Sequence, residues 1–221
     1  MDKTLNYYEN NAASFAEGTV KVDFTETQDI FLSYLPQKAY ILDFGCGSGR
    51  DTKCFLEKGY KVDAIDGSSE LCKLASRNTG IDVRQMYFQD LDSEQAYDGI
   101  WACASILHLQ REELKDVLKR MIRAVKKEGY IYMSFKYGEF EGYRGDRYFT
   151  DFTEESFIEF LGKIAVNIDV KTSETMIKDF GIDSSQVLDG EGIAISKIWK
   201  THDARPGRED EKWLNVIVKK I

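Results

Sequence analysis

Proline is almost missing from this chain, with 2 in 221 residues, and no Gly/Ser-rich run occurs. Linkers and disordered tails draw on those residues, so neither is expected. No stretch approaches the roughly 20 consecutive apolar residues that cross a bilayer, so no membrane partner is expected. The opening MDKTLNYYENNAASFAEGTV lacks the basic start and apolar core of a secretory signal, which makes a cytoplasmic setting the expectation. Cys46, Cys54, Cys72 and Cys103 form no CxxC pair and have no histidine at ligand spacing. They read as reduced thiols, and no metal site is expected. An excess of positive charge is lacking too, the net charge being −8. Such a chain repels a phosphate backbone unless its basic residues cluster, which weighs against nucleic acid as a substrate.

What is present is the material of one globular domain, 43% hydrophobic and 31% charged. Apolar runs alternate with helical patterns. Ala39–Phe44, Tyr60–Ile65, Ile81–Phe88, Tyr97–Ala102 and Tyr130–Phe135 read as strands, the last entered by a turn at Glu128-Gly129. Asp51–Lys58, the segment after an N-cap at Ser68, and Arg111–Val125 read as helices between them. Such alternation predicts an α/β sheet with right-handed crossovers. Phe152–Leu161 is a further predicted helix capped by Thr153. Ile193–Thr201 and Trp213–Lys219 read as an antiparallel hairpin closed by His202–Lys212. Residues 164–192 fit no element and read as an insertion.

The strongest signal follows the first strand: Asp43-Phe-Gly45-Cys-Gly47-Ser-Gly49-Arg50. Glycines let backbone turn tightly against a ligand, and the helix that follows offers free N–H groups. A dinucleotide fingerprint, Gly-x-Gly-x-x-Gly, would put its third glycine where Arg50 stands. Asp43 would repel a pyrophosphate and suits a cationic methionine moiety, which favours S-adenosylmethionine over NAD. Asp66, at the end of the second strand, can accept both ribose hydroxyls, and Asp90, after the third, can accept an adenine amino group.

Residues 39–136 resemble the class I S-adenosylmethionine-dependent methyltransferases. The wording LDFGCGSGRDT is similar to the small-molecule group that includes tellurite-resistance methyltransferases. The resemblance implies a Rossmann-like, seven-stranded, mostly parallel sheet with a C-terminal antiparallel hairpin and helices on both faces. It implies a single domain: an N-terminal helical cap over 1–35, a cofactor core over 39–136 and an acceptor-side region over 137–221. It implies that Gly45, Gly47 and Gly49 contact the cofactor, with Asp66 on the ribose and Asp90 at the adenine. Asp43, Cys46, Arg50, Gly67, Ser68, Gln89 and Leu91 complete that candidate set. Trp101–His108, with Ala104, resembles the motif beside the transferred methyl. Tyr7-Tyr8-x-x-Asn-Ala12 resembles a short helix that closes over the cofactor, which adds Tyr8. S-adenosylhomocysteine would be the product. The position after strand four reads Ala102-Cys-Ala-Ser105 rather than Asn-Pro-Pro-Tyr, and Cys103 lacks a preceding proline, which puts base methylation in doubt.

His108 is a candidate general base, because its ordinary pKa is near neutral; it reads more readily as a loop histidine packed between Leu107 and Leu109. Tyr143-Arg144-Gly-Asp-Arg147-Tyr148 and Arg205-Pro-Gly-Arg208 interleave arginines with aromatics in the expected acceptor loops. Arg144, Arg147, Arg205 and Arg208, with Tyr137 and Tyr148, are therefore candidates to hold a small anionic acceptor. The competing reading pairs the arginines with local acids such as Glu141, Asp146, Asp203, Glu209 and Asp210. A protein or nucleic-acid methyltransferase on the same fold, or a non-catalytic S-adenosylmethionine-binding protein, are the alternatives.

Overall fold

The computed structural model describes residues 3–164, 168–169 and 192–221. The expected insertion at 164–192 lies almost wholly outside the described residues.

Three helices open the chain: α1 (Lys3–Asn10), α2 (Ala12–Thr19) and α3 (Thr25–Leu32). Strand and helix then alternate through β1 (Tyr40–Phe44), α4 (Arg50–Glu57), β2 (Lys61–Asp66), α5 (Ser69–Thr79), β3 (Arg84–Gln85), β4 (Tyr97–Ala102), α6 (Arg111–Ala124) and β5 (Val125–Lys136). A hairpin, β6 (Glu141–Arg144) and β7 (Arg147–Thr150), precedes α7 (Glu154–Gly162). Edge strand β8 (Ile168–Asp169) and the long strands β9 (Ile193–His202) and β10 (Lys212–Lys220) finish the chain.

The sheet runs β3-β2-β1-β4-β5-β10-β9-β8, the seven expected strands plus the two-residue β8 at one edge. The first five strands pair in parallel, and β10 is antiparallel to both β5 and β9. Side chains alternate between the two faces, and both faces are apolar. Ile41, Trp101, Tyr132 and Ile217 pack with Phe31, Leu35 and Phe55 of the α3–α4 side. Leu42, Ile100, Ala102, Ile131, Met133 and Val216 pack with Leu114, Val117, Leu118 and Met121 of α6. That explains why the strands read as unbroken apolar runs. Ser68 caps α5 by accepting the Leu71 N–H, and Thr153 caps α7.

Three local expectations differ from what is observed. Strand three was expected over Ile81–Phe88, but only Arg84 and Gln85 pair, with Ile65 and Asp66. The Val83 N–H goes to the Ser76 hydroxyl, and Phe88–Asp90 curls into a 3₁₀ turn. Strand five begins at Val125, ahead of the expected turn, and its register with β4 shifts between Tyr97 and Gly99. Tyr143–Phe149 was read as a loop, but it is the β6–β7 hairpin, turned at Gly145-Asp146 with Gly145 at φ +62°. Among the described residues no helix is long and apolar enough to cross a membrane.

Candidate active site

A cavity of about 920 Å³ opens at the carboxyl ends of β1, β2, β4 and β5, which is where open α/β sheets bind ligands. Its floor is the loop after β1, the turn after β2 and the loop after β4. The N-terminal helices form one wall, and the β6–β7 hairpin with the β9–β10 loop forms the other.

On the first side the backbone sets the shape. Gly45 (φ +88°) and Gly47 (φ +56°) adopt left-handed conformations that side chains disfavour. A Cβ on Gly45 would lie 2.5 Å from the Ser105 Cβ. Asp66 accepts the Gly47 N–H (2.9 Å) through Oδ2 and the Ser68 N–H (2.9 Å) through Oδ1. Burial raises its pKa, while those backbone bonds oppose the rise. A carboxylate so held on the cavity floor keeps lone pairs for the hydroxyls of a ribose.

Arg50 is the cation on this loop, and it is committed: its Nε and Nη2 each donate to Asp51 at 2.8 Å. Asp51 also accepts from Gln28 and from the Trp101 indole. Burial opposes the charge on Asp51, but the Arg50 guanidinium prevails and lowers its pKa. A pyrophosphate would find an acid and no unpaired cation here. The donor set fits a nucleoside without phosphates, as in S-adenosylmethionine.

The cavity brings together Tyr8, Gly45, Cys46, Gly47, Arg50, Asp66, Gly67, Gln89 and Ala104 of the expected cofactor residues. Five do not line it. Asp43 is buried beneath the loop and accepts the Thr52 hydroxyl at 2.5 Å. Burial, then the adjacent Asp51 charge, raises its pKa to about 8. It lies beneath the loop and does not line the cavity, so the structure does not set it against a methionine moiety as the sequence suggested. Gly49 sits where a Cβ would come within 2.8 Å of Thr79, so it serves the packing of α4 on α5. Ser68 is the cap of α5, Leu91 is core, and Asp90 is exposed on the 3₁₀ turn outside the wall. Sequence reasoning missed Leu5, Phe15 and Phe88, which line the cavity. An apolar residue inside a short helix carries no signal that separates cavity wall from core.

On the other side His108 is half-buried and held at both nitrogens. Its Nδ1–H donates to the Tyr148 carbonyl (2.6 Å), so Nε2 accepts from the Tyr8 hydroxyl (2.8 Å). Burial lowers its pKa to about 4, although the Tyr148 bond opposes the shift. Neither earlier reading of His108 is complete: it reaches the cavity, yet it is a neutral, tethered imidazole.

The four arginines all line the cavity, with Tyr137, but they are not equivalent. Arg144 forks onto buried Asp151 (2.9 and 2.5 Å), and Arg205 forks onto Asp203 (2.8 and 2.5 Å). Arg208 is exposed and lies 3.7 Å from Glu211. Arg147 has no carboxylate partner among the described residues. It packs over the rings of Tyr7 (4.9 Å) and Phe149 (5.2 Å), and one Nη donates to the Tyr8 hydroxyl at 3.4 Å. The expected four-arginine cluster is thus corrected to a single uncommitted guanidinium, because the local acids take Arg144 and Arg205 outright. Tyr148 contributes its carbonyl to His108, while its ring hydroxyl bonds Glu141 outside the wall.

Residues 41–129 match the model of a family described as a methyltransferase domain. An uncharacterized methyltransferase of Staphylococcus carnosus is 27% identical over 138 residues, which are 59% of this chain and 67% of that protein. The Burkholderia thailandensis 1,6-didemethyltoxoflavin-N1-methyltransferase, solved with S-adenosylhomocysteine, superposes with a TM-score of 0.68 at 19% identity, over 98% of this chain and 84% of that one. A TehB-like S-adenosylmethionine-dependent methyltransferase of Corynebacterium glutamicum gives 0.58 at 17% identity, over 98% and 95%. The fold is that of the class I methyltransferases. The chain itself is an S-adenosylmethionine-dependent methyltransferase, with S-adenosylmethionine as its methyl donor.

Proposed function

We propose that this enzyme methylates a small molecule carrying one anionic group, by in-line displacement. The observation that carries this reading is Arg147. It is a guanidinium in the cavity wall, stacked on aromatic rings and lacking any acid partner among the described residues. A planar fork so placed matches a carboxylate or phosphate bidentately. The cavity volume falls in the usual range for small-molecule sites. The name of the Burkholderia neighbour, a methyltransferase of a small molecule, supports the same class.

Bound at the Gly45–Gly47 loop, the cofactor supplies a methyl on a sulfonium that departs as a neutral thioether. The protein must then align the nucleophile and exclude water. Tyr8 and Arg147 do the aligning in this reading. Because the Tyr8 hydroxyl donates to His108 Nε2, its oxygen lone pairs turn toward Arg147 and the cavity. His108, with its pKa near 4, acts as the anchor that orients Tyr8 rather than as a free base. Four free cysteines fit a reducing, cytoplasmic setting for this chemistry.

The test follows radiolabelled methyl from the cofactor into a cell extract divided by size. Label in the low-molecular-weight, anion-exchange-retained fraction is the expected result. Label only in the macromolecular fraction, or in no fraction, contradicts the proposal.

A further inference from the structure

The N-terminal helices lie directly on the cofactor loops. A Cβ on Gly67 would meet Leu5 at 3.0 Å, and one on Gly47 would meet the Phe15 ring at 3.1 Å. Tyr8, between them in the sequence, also faces the cavity. A nucleoside on the Asp66–Gly67 turn is thereby covered by α1 and α2, and its exchange needs them to lift.

Two side chains tie this cover to the cofactor side, and one of them, Thr19 of α2, donates to the Ser48 hydroxyl at 3.2 Å. Glu9 of α1 accepts the Ser68 hydroxyl through Oε2 and the Ser69 hydroxyl through Oε1, each at 2.6 Å. Those two hydroxyls hold its carboxyl below the ordinary range, against a small opposing effect of burial. Ser68 also donates its backbone N–H to Asp66 Oδ1, and Asp66 Oδ2 takes the N–H of Gly47. A continuous chain of hydrogen bonds therefore runs Glu9–Ser68–Asp66–Gly47, from the cover to the motif loop. The other named ties of α1 lead elsewhere. Thr4 accepts the Tyr148 N–H, and Lys3 pairs with Asp146, both on the β6–β7 hairpin.

We propose that Glu9 is a positioning residue for the cofactor. It acts through Ser68 on Asp66, so docking of the N-terminal helices and capture of the ribose are one coupled event. This rests on the cofactor assignment and not on the identity of the acceptor. A carboxylate accepts from both hydroxyls at once and with a charge. A glutamine keeps one accepting oxygen, and its amide can bond the second serine only if that hydroxyl turns round to accept, with the charge assistance lost at both.

The experiment measures release of S-adenosylhomocysteine by stopped flow from wild type, Glu9→Gln, Ser69→Ala, the double variant and Asp146→Asn. Glu9→Gln should speed release about tenfold, as expected for loss of a charge-assisted hydrogen bond at a half-buried site. Ser69→Ala should speed it by a smaller factor. The double variant should release no faster than Glu9→Gln, because both changes remove the same bond. Asp146→Asn should stay within twofold of wild type, since it loosens the same helix away from the cofactor loop. A merely structural role would lower the ligand-free Tm of Glu9→Gln and leave release unchanged, which overturns the proposal. Equal acceleration in Asp146→Asn overturns it too, and if Glu9→Gln does not fold, unchanged release in Ser69→Ala does the same. Failure of wild type to bind S-adenosylhomocysteine would instead strike the cofactor assignment beneath it.

Discussion

On the side of the cavity proposed for the cofactor the main chain does most of the positioning. Two left-handed glycines, the N–H groups of Gly47 and Ser68 and one carboxylate define the place, within residues 45–68. On the side proposed for the acceptor the positioning is done by side chains drawn from distant segments: Tyr8 from α1, His108 after β4, Arg147 from β7, and Arg205 with Asp203 after β9. The first side can tolerate little change in backbone shape. The second is held by ion pairs, so the same residue type can be structural at one position and uncommitted at the next. Arg144 and Arg147 stand on facing strands of one hairpin and differ in this way.

The largest effect is expected where the backbone is least replaceable. Gly47→Val should weaken S-adenosylhomocysteine binding at least about a hundredfold, roughly 3 kcal/mol. A β-branched side chain there is strained at φ +56° and meets Phe15. Calorimetric titration, with circular dichroism to confirm the fold, checks it. Wild-type affinity in that variant would mean the cofactor lies elsewhere.

The two arginines of the hairpin break the comparison from the other side. Arg144→Ala strands the Asp151 carboxylate, whose side chain is 3% exposed, while Arg144 itself is 42% exposed. A loss on the order of 2 kcal/mol is expected, below the range for a fully buried pair because of that exposure. A thermal melt should show a drop in Tm of roughly 5 °C. Arg147→Lys should leave Tm unchanged and cut methyl transfer about tenfold, because the charge stays and the fork is lost. If Arg147→Lys instead lowers Tm as Arg144→Ala does, the distinction between the two is wrong.

How much of this was legible in the sequence follows the same division. Gly45, Gly47 and Asp66 were readable because a tight turn and a strand-end acid are local demands on residue type. The apolar strands were readable because the sheet is buried on both faces. The place of Asp43 was not legible, because a motif does not show that an acid lies beneath a loop, buried against Asp51 and Thr52. Asp203 was legible as a local acid for the arginines, and it holds Arg205; Asp151 was not, since its pairing with Arg144 depends on the hairpin register. The Gly145-Asp146 turn between alternating residues was a usable hairpin signal that the arginines on either side obscured. Glu9 carried no signal, because its serine partners lie about sixty residues away.

The smallest effect concerns Asp43. Its pKa near 8 in the folded chain, against about 4 when unfolded, means the folded state holds a proton that the unfolded chain has lost. The associated stability is complete below about pH 4 and is lost as pH rises toward 8. Asp43→Asn removes that titration. Its stability at pH 7 should lie within about 1 kcal/mol of wild type, and its Tm should vary less between about pH 5 and 8. Denaturation curves across that window that parallel the wild type would show Asp43 to be ionised.

The account stands or falls most directly on Asp66. Calorimetric titration of the wild-type chain with S-adenosylmethionine should show one site, and the same titration with NAD should show none. Asp66→Ala should weaken S-adenosylmethionine binding by at least an order of magnitude, since the ribose hydroxyls lose a charged acceptor worth roughly 1.5–3 kcal/mol. Unchanged affinity in a folded Asp66→Ala protein, or NAD binding in its place, would contradict the assignment of this site.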